Sequence, residues 1–520
     1  MAIKKVGLFA IVLMFAAALM AGCSGSNAGN DNPAGNGGQT GGTAETERQD
    51  LKPAELKMVL LGDVPADLDV MLGELNKLIQ RDLNATLSIE YLAWSDWTQK
   101  YSLILASGEP IDLIYTSDWA KYVSEATKGA FLEITDEILT KYMPLTKESQ
   151  DPISFEQAKI NGKIYFVPKN SASFNNEKAV AIRGDLREKY GMGPLASLDD
   201  YRTYLDNVAK NEKGILAYAA SQDNGFIQEL VHEQGNNIIN VGTYFQYSWS
   251  DHDNLTVDKV EYKYDSPSFA EFAKEMKEWA NKGYWSRNAI SNKTSVRDAF
   301  ENGTSASMVW NAGTVSQAAS KILQAHPEWK PEVYDVTPDS IKRLGLYTAD
   351  GMAVPISSKN PERAFMLLDK LKNDREYYEL FQMGIEGKHW IRIDDVLWKE
   401  GPDFERFSAG ANGQWGVNNA KFRRSKEGAF PAEAELDKIW RTKVVHPITE
   451  TFVFDETNVK NELAALEQLR TKYRPMLTLG MADNVEATIQ EWRDQADKAG
   501  LKKVEEELKK QLQAFLDARK

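Results

Sequence analysis

The sequence predicts an α/β fold, in which short parallel strands alternate with helices, followed by a mainly helical region. Apolar runs of strand length occupy residues 56–61, 86–92 and 111–115. Between them, residues 68–83 and 97–105 repeat apolar side chains at helical spacing. This alternation is typical of parallel strands joined by crossover helices. Ligands of such sheets bind beyond the carboxyl ends of the strands.

The middle of the chain continues the same pattern. Residues 179–182 and 305–310 have the apolar character of short buried strands. Residues 197–210 and 266–281 place apolar side chains on one helical face. The α/β region therefore extends well past residue 300.

From about residue 456 the chain is predicted to be mainly helical. Pro475 and Gly500 are expected to mark breaks between successive helices. The last helix carries one apolar stripe, which we expect to pack on the second half of the folded body. A coiled-coil partner is the alternative, which the lack of a strict heptad pattern disfavours. The predicted helices are 459–473, 484–498 and 501–518, and the stripe is Val504, Leu508, Leu512, Phe515 and Leu516.

The first residues are typical of a secretory signal peptide. Lys4 and Lys5 form a cationic head, and residues 6–20 are an uninterrupted apolar run. Small residues follow and end at Cys23, the only cysteine of the chain. A run of this length with a basic start and small residues at its exit predicts export.

The end of this segment, Leu-Met-Ala-Gly-Cys, resembles the lipobox of bacterial lipoproteins. That family usually has Leu where Met20 stands here, a residue of similar bulk. The resemblance implies a signal peptide over residues 1–22 and lipid on the sulfur of Cys23. Residues 23–53 are expected to form a flexible tether, because Gly, Asn, Ser and Thr dominate up to about residue 49 with almost no bulky apolar side chain. An ordinary cleaved signal with a chance cysteine is the alternative.

Composition limits the partners of the protein. The chain of 520 residues has a net charge of −14, which argues against nucleic acid and anionic membrane surfaces as partners. With Cys23 modified, no thiol is left for a disulfide or for a cysteine-ligated metal. Stability must then come from buried apolar cores.

Enzyme signatures are weak throughout. His232-Glu233 lacks the second histidine of a helical zinc site, and the five histidines show no metal-ligand spacing. The glycines at 191–196 follow a helix pattern and include a proline, and the calcium-loop spacing at 251–258 fails at its glycine and at its final glutamate. We therefore expect no catalysis, no cofactor and no metal. A catalytic carboxylate pair among the 76 acidic residues stays an open alternative.

Five short motifs follow one another along the chain: Ala106-Ser-Gly-Glu-Pro-Ile-Asp-Leu-Ile114, Gly129-Ala-Phe-Leu-Glu-Ile-Thr135, Asn161-Gly-Lys-Ile-Tyr-Phe-Val-Pro168, Ala299-Phe-Glu-Asn-Gly-Thr-Ser-Ala-Ser-Met308 and Ala353-Val-Pro-Ile-Ser-Ser-Lys-Asn-Pro-Glu-Arg-Ala364. Taken in this order, they resemble the bacterial extracellular solute-binding proteins of ABC importers. The C-terminal part, including Gly384-Ile-Glu-Gly-Lys-His-Trp390, is similar to the carbohydrate-type lipoprotein branch of that family.

This resemblance implies a two-lobed, periplasmic-binding-protein-like fold with the ligand held in the cleft. Lobe 1 would comprise residues 54–170 and 295–350, and lobe 2 residues 171–294 and 355–520. The hinge is expected near residues 167–171, 311–312 and 352–355. The resemblance further implies a monomeric receptor, anchored by lipid on the extracellular face of the cell membrane, that delivers solute to an ABC importer permease.

Aromatic residues beside hydrogen-bonding groups predict a sugar ligand. A pyranose ring offers an apolar C–H face to an aromatic plane and hydroxyls to polar neighbours at its rim. Core positions are the alternative for Trp97, Trp310 and the candidates of lobe 2, and helix capping is the alternative for Asp118. The candidates are Trp94, Tyr115, Ser117, Asp118, Trp119, Trp310 and Asn311, with Trp249, Trp285 and Trp415 expected from lobe 2.

Two other functions share these features. A surface-anchored glycoside hydrolase or lyase would also be exported, acidic and rich in aromatic residues, but it needs two converging carboxylates. The same receptor fold could bind a peptide or another non-sugar solute. The preferred prediction is the receptor for a sugar or oligosaccharide.

Overall fold

The computed structural model of the protein describes residues 51–519, apart from 175, 223 and 409–413. The predicted signal peptide, the lipidation site Cys23 and the tether up to residue 50 lie outside the described residues. Within the described ranges, no helix combines the length and the apolarity that crossing a bilayer requires.

The strands and helices alternate along most of the chain. The strands are β1 (Ala54–Leu61), β2 (Ala85–Leu92), β3 (Leu113–Thr116), β4 (Lys159–Ile160), β5 (Lys163–Ile164), β6 (Val167–Pro168), β7 (Ala179–Arg183), β8 (Ile238–Val241), β9 (Phe245–Ser248), β10 (Glu261–Tyr262), β11 (Ser307–Trp310), β12 (Pro331–Tyr334), β13 (Gly351–Ala353), β14 (Trp390–Arg392), β15 (Leu397–Glu400) and β16 (Ser425–Lys426). The α-helices are α1 (Leu68–Leu83), α2 (Trp97–Ser107), α3 (Tyr122–Thr127), α4 (Asp136–Tyr142), α5 (Pro144–Ser149), α6 (Pro152–Gln157), α7 (Gly184–Lys189), α8 (Leu198–Asn211), α9 (Gly225–Ile227), α10 (Pro267–Lys282), α11 (Val296–Glu301), α12 (Ala312–Ala325), α13 (Pro361–Asn373), α14 (Arg375–Met383), α15 (Ala432–Trp440), α16 (Lys460–Thr478), α17 (Val485–Lys498) and α18 (Leu501–Asp517). A π-helix, Gln228–Gln234, continues directly from α9.

A five-stranded sheet organises the first lobe, with strand order β2-β1-β3-β13-β6. β1 runs parallel to β2 and β3, which confirms the predicted crossover arrangement. β13 is antiparallel to both β3 and β6. The apolar core around this sheet draws on residues 56–167 and 352–381. One face of α1 is buried there, with side chains at helical spacing: Leu68, Met71, Leu72, Leu75, Ile79 and Leu83.

An antiparallel sheet and the C-terminal helices form the second lobe. β7 lies between β11 and β12 and is antiparallel to each. The main core of this lobe draws on residues 180–336 and 459–516. The last helix packs on it as predicted, with Val504, Leu508, Leu512 and Leu516 buried and Phe515 partly buried.

The predicted lobe boundaries are wrong in two places. Residues 295–350 were expected in lobe 1, but they contain β11 and β12, which pair with β7 of the second lobe. Residues 361–383 were expected in lobe 2, but α13 and α14 pack in the core of the first lobe. Short motifs fix the order of elements along the chain, whereas lobe membership depends on strand pairing between distant segments.

Three chain segments that connect the lobes meet at one place, which we call the junction: residues 169–170, 347–350 and 418–420. The backbone N–H of Lys169 donates to the carbonyl of Asp350 at 2.8 Å. The N–H of Asn170 donates to the carbonyl of Asn418 at 2.7 Å, and Asn170 accepts from Ala420 at 3.0 Å. The segments therefore form a small hydrogen-bonded ladder between the lobes.

Two of the three expected hinge positions lie at or beside the junction. Residues 167–171 include its first segment, and residues 352–355 begin two positions after the end of its second. Residues 311–312 do not belong to it, because they join β11 to α12 and both elements lie in the second lobe. That part of the hinge prediction is wrong.

The predicted break at Pro475 is also wrong. α16 continues through Pro475 and ends at Thr478, before Gly480 at φ 65°. The proline removes only its own N–H bond to the carbonyl four residues earlier, and the helix continues for three residues beyond it. The break at Gly500 is confirmed, with φ 96° between α17 and α18.

Candidate functional site

Five rings gather at the carboxyl edge of the first-lobe sheet and form what we call the aromatic cluster: Trp94, Trp97, Tyr115, Trp119 and Trp415. Trp94 follows β2 and Trp119 follows β3, so parallel pairing of these strands with β1 brings their loops together. The ring centroids of Trp94 and Trp119 are 6.3 Å apart with an interplanar angle of 30°. The Trp97 ring stands edge-on to Trp119, with centroids 5.8 Å apart.

The outer indoles of the aromatic cluster face solvent. Trp94 is 44% exposed and Trp119 is 46% exposed, whereas Trp97 is half-buried against the first-lobe core. Large aromatic side chains usually bury most of their surface in a folded domain, so this exposed pair departs from the usual pattern.

Trp415 belongs to this cluster and not to the second lobe, where it was expected. Its ring stacks on Trp94 with centroids 6.0 Å apart and an interplanar angle of 25°. It also packs against the core of the first lobe. The prediction failed because the segment around Trp415 returns to the first lobe after α14.

Tyr115 and Ser117 were predicted to contact ligand, but the structure buries both side chains completely. The Tyr115 hydroxyl donates to Asp350 Oδ1 at 2.7 Å. The Ser117 hydroxyl oxygen accepts from the backbone N–H of Ala120 at 2.9 Å. Both hydroxyls are therefore bonded inside the protein, and neither side chain is exposed to a ligand.

Asp118 lies directly before the exposed Trp119, in the loop that follows β3. The residue is exposed, but surrounding protein displaces water from its carboxyl group and raises the pKa to about 6. The nearby Asp350 carboxylate adds to this rise, while the backbone N–H of Trp119 and the ammonium of Lys169 oppose it. Asp118 is thus a carboxylate near neutral pH that lacks full hydration.

The aromatic cluster is bonded directly to the junction. The indole N–H of Trp119 donates to the carbonyl of Ala349 at 2.8 Å. The backbone N–H of Asp118 donates to the carbonyl of Thr348 at 2.9 Å. Beneath them, the buried Lys169 ammonium donates to Asp350 Oδ2 at 2.8 Å. Trp119 and Asp118 consequently cannot move without affecting residues 347–350.

Trp310 lines a cavity of about 420 Å³, which we call the second-lobe cavity. Its ring lies against Phe226, with centroids 4.1 Å apart and an interplanar angle of 37°. Asn311 is held by helix capping, because its Oδ1 accepts from the N–H of Thr314 at 2.9 Å. The remaining residues that line the cavity are Tyr218, Ser221, Gln222, Asn224, Gly225, Glu229, Lys293, Thr294, Ser295, Val296 and Arg474.

The structure does not bring the other two second-lobe candidates to this cavity. Trp285 is only 4% exposed, and its indole N–H donates to the carbonyl of Leu479 at 3.1 Å. It is a core residue, so its prediction as a ligand contact is wrong. Trp249 is half-buried and stacks on His252, with ring centroids 4.0 Å apart. It lines neither the aromatic cluster nor the second-lobe cavity.

Metal ligands do not converge in the part of the chain that the structure describes. No group of three or more His, Cys, Asp or Glu side chains is placed there to hold an ion. The segment with calcium-loop spacing forms 3₁₀ turns, and Asp251 pairs with Lys259 at 3.1 Å.

Comparison with known families identifies the chain. The model of the bacterial extracellular solute-binding proteins matches residues 72–377, which is more than half of the sequence. The chain belongs to this family. A second family model, for a domain of unknown function, matches residues 448–517 and covers the C-terminal helices α16 to α18.

Similar proteins support the two-lobed fold. A carbohydrate ABC transporter substrate-binding protein of Streptococcus pneumoniae is 25% identical over 503 residues, covering 93% of this chain and 95% of that protein. The N-glycan transport solute-binding protein NgtS of S. pneumoniae, solved with Man5GlcNAc, is 24% identical with a TM-score of 0.70 and covers 90% of this chain and 100% of its own. NgtS has also been solved with Man1GlcNAc.

A more distant neighbour has the same architecture. It is an HMO-binding solute-binding protein associated with an ABC transporter of Bifidobacterium longum infantis, 13% identical with a TM-score of 0.61, covering 88% of this chain and 98% of its own. The predicted α/β fold with two lobes and an added helical C-terminal region is confirmed.

Proposed function

We propose that this solute-binding protein is a receptor that captures a sugar or oligosaccharide between its lobes and delivers it to an ABC importer. The observation that carries the proposal is the exposed indole pair of Trp94 and Trp119, set beside the partly desolvated carboxylate of Asp118 at the carboxyl edge of a parallel sheet. The receptor itself catalyses no reaction on its ligand.

This surface suits a pyranose ring. The negative face of an indole attracts the polarised C–H bonds of the sugar, while a flat apolar contact excludes water. Asp118 accepts hydrogen bonds from ring hydroxyls, and a carboxylate acceptor makes stronger bonds than a neutral one. Together these groups bind a neutral polyhydroxylated ligand. They give no counter-charge to an anionic one.

Bonds between the aromatic cluster and the junction link binding to lobe closure. A sugar that stacks on Trp119 fixes an indole whose N–H holds Ala349 of the junction. Closure then adds contacts from the second lobe, where Trp310 supplies another aromatic face. Hinge closure around a ligand is a common way to exchange solvent for such contacts.

The functions of similar proteins agree with this proposal. One is a carbohydrate substrate-binding protein, and NgtS has been solved with two glycans.

The proposal also includes the anchoring and assembly of the receptor. A lipid on Cys23 holds it on the extracellular face of the membrane, where it acts as a monomer and contacts an importer permease. Replacing Cys23 with Ser should release the protein from cells into the medium, which fractionation would measure.

A thermal-shift screen tests the proposed ligand class. The panel comprises glucose, mannose, N-acetylglucosamine, maltotriose, xylotriose, Man5GlcNAc and a mixed tripeptide set. A ligand at 100 times its Kd stabilises the folded state by about 2.7 kcal/mol, so a true ligand raises Tm clearly. We expect at least one sugar to do so and the peptides not to.

Two results would contradict the proposal. Stabilisation by peptides and by no sugar would assign the same fold to another solute. Incubation with the oligosaccharides followed by an assay for new reducing ends separates a receptor from a hydrolase. An increase in reducing ends that scales with protein concentration would show catalysis.

A further inference from the structure

Near the start of the domain of unknown function, one segment touches both lobes: residues 452–456, which we call the strap. The chain does not cross between the lobes here, because apolar side chains on both sides of the strap pack on the second-lobe core. Phe452 and Phe454 pack on that core as well. Val453, which lies between them, is half-buried against the core of the first lobe. Neighbouring side chains of the strap therefore contact different lobes.

The last helix, α18, fixes the strap to the second lobe. The ring of Phe452 stands edge-on to Phe515 of α18, with centroids 5.3 Å apart. The backbone N–H of Asp455 donates to Gln511 Oε1 at 2.8 Å, and Gln511 Nε2 donates to the carbonyl of Asp455 at 2.9 Å. Since α18 is itself buried along one face in the second lobe, the strap moves with that lobe.

Two acidic side chains of the strap also face the first lobe. The hydroxyl and N–H of Thr457 donate to Asp455 Oδ1 at 2.6 and 2.9 Å, and together with the side chain of Asn161 they hold the pKa of Asp455 below its usual value. Asn161 lies in the turn between β4 and β5 of the first lobe. Burial and the Asp455 carboxylate raise the pKa of Glu456, and the ammonium of Lys128, also in the first lobe, opposes that rise. An apolar contact, an amide and an opposite charge thus join the strap to the first lobe.

These contacts exist while the lobes are apart at the cleft. Trp94 and Trp119 of the aromatic cluster face solvent. Among the described residues, those that line the second-lobe cavity all belong to the second lobe, so the first lobe does not cover it. The strap lies outside the three segments of the junction, so a rotation about the junction that closes the cleft displaces the strap against the first lobe. Packing and hydrogen-bond contacts weaken steeply with such a displacement.

We propose that the strap is a latch that stabilises the open arrangement of the lobes and thereby opposes closure on a ligand. Closing the cleft must break the latch, so part of the binding free energy is used for this step and the measured affinity is reduced by the same factor. The inference gives the domain of unknown function a role, because its helices hold the strap against the first lobe. The consequence for ligand affinity rests on the proposed function, whereas the effect on the lobe arrangement does not.

Two variants weaken the latch in different ways. Val453→Ala removes the apolar contact with the first lobe. Asn161→Asp places a second carboxylate beside Asp455, and Asp tolerates the φ of 51° at this turn position. The matched control is Val257→Ala, because Val257 is also half-buried but packs on the second-lobe core. Circular dichroism confirms that each variant is folded.

Pulsed electron paramagnetic resonance measures the distance between the lobes without any ligand. One spin label is attached at Val64→Cys, in the loop after β1, and the other at Ile290→Cys, close to the cavity residue Lys293. Both side chains are exposed, so the labels are accessible. The full-length protein also carries Cys23→Ser, which removes the only other thiol.

The protein without latch substitutions should show mainly the long distance. Val453→Ala and Asn161→Asp should each show a larger fraction of short distances. In titration calorimetry with the sugar that gives the largest thermal shift, both latch variants should bind about two- to fivefold more tightly than the wild type. Val257→Ala should match the wild type in both measurements.

The two measurements separate this inference from the proposed function. If the wild type binds a sugar and both latch variants keep its distances and its affinity, or show longer distances and weaker binding, the latch is wrong and the receptor function stands. If Val257→Ala changes the distances as much as Val453→Ala, the effect is not local and the latch is again wrong. If the wild type binds no sugar, the proposed function fails, while the distances still decide whether the latch exists.

Discussion

The aromatic cluster of the first lobe and the second-lobe cavity differ in how they are built. The aromatic cluster is an open surface with exposed indoles, Trp94 and Trp119, and it is bonded to the junction through the buried Tyr115 hydroxyl and the Trp119 indole N–H. The second-lobe cavity is a recess with two rings, Phe226 and Trp310, and otherwise mostly polar side chains. Stacking on an open surface tolerates different sugars, whereas a recess with fixed donors and acceptors selects among them. The first lobe should therefore supply most of the affinity and the second most of the selectivity.

The largest expected effect is that of Trp119→Ala. Loss of this indole removes a stacking face, and it also removes the donor to the Ala349 carbonyl at the junction. We expect sugar affinity to fall tenfold or more, about 1–3 kcal/mol, as for the central aromatic residues of other interfaces. Calorimetry with the best ligand of the screen measures this effect.

Trp249→Ala is the matched control for that variant. Trp249 is a half-buried tryptophan that stacks on His252, outside both binding regions. Its loss should leave sugar affinity unchanged while it lowers Tm slightly. If Trp119→Ala and Trp249→Ala lose the same affinity, Trp119 has no role in sugar binding beyond that of a tryptophan outside the aromatic cluster.

Asp118→Asn should weaken sugar binding but raise the stability of the folded protein at pH 7.5. The folded protein holds the pKa of Asp118 at about 6, above its unfolded value of about 3.8. Between these values the folded state binds more protons than the unfolded state, so ionisation of Asp118 lowers stability as pH rises through this window. At pH 7.5 the Asn variant should therefore unfold at a higher temperature than the wild type.

The same variant should bind sugar more weakly at pH 7.5, because a neutral amide replaces a carboxylate acceptor. Its advantage in Tm should be mostly gone near pH 4, where Asp118 is protonated in the folded state and roughly 40% protonated in the unfolded state. Melting curves from pH 4 to pH 8 show whether the Asn variant has the higher Tm at pH 7.5 and whether that difference shrinks towards pH 4. A lower Tm for Asp118→Asn at pH 7.5 would show that the carboxylate stabilises the apo protein, contrary to this argument.

The first lobe could be predicted from sequence more fully than the second. The bounds of α1 agree with its pattern because its buried side chains recur at helical spacing on a sheet of adjacent strands. The clustering of Trp94 and Trp119 was predictable because each lies in the loop after a strand, and parallel strands place such loops at one edge. Trp415 reached the same cluster from a segment about 300 residues away along the chain, which no local pattern indicates.

The second-lobe cavity was largely missed because its parts are scattered. Trp310 was predicted, but Asn224, Phe226 and Arg474 come from segments that carry no motif. The Asn-Gly turn just before Phe226 was the available local signal, since it predicts an exposed bend. Trp285 shows the opposite error, because a tryptophan in the core has the same sequence appearance as one in a site.

The smallest expected effect on binding belongs to Lys372, which lies under the junction between the two regions. Its side chain is fully buried, and Nζ donates to the carbonyl of Pro168 at 2.7 Å. Its own carbonyl accepts from Asn419 Nδ2 at 2.9 Å. Burial lowers the pKa of Lys372 to about 7, although the nearby Asp369 carboxylate partly opposes this shift.

Lys372→Met removes this titration without leaving the Pro168 carbonyl unpaired, because Gln150 Nε2 also donates to it at 3.2 Å. Between pH 7 and pH 10 the unfolded wild type binds more protons at Lys372 than the folded protein, so this lysine contributes a stability that rises with pH, by up to about 1.4 kcal/mol per pH unit. The variant should therefore be more stable than the wild type at pH 6.5, and the difference should shrink steadily towards pH 10.

Urea unfolding at several pH values measures this difference in stability. Sugar affinity at pH 7.5 should change less in Lys372→Met than in Trp119→Ala. If the free energy of unfolding depends on pH in the same way in both proteins, Lys372 stays charged in the folded state. The buried ammonium would then be compensated by the Asp369 carboxylate.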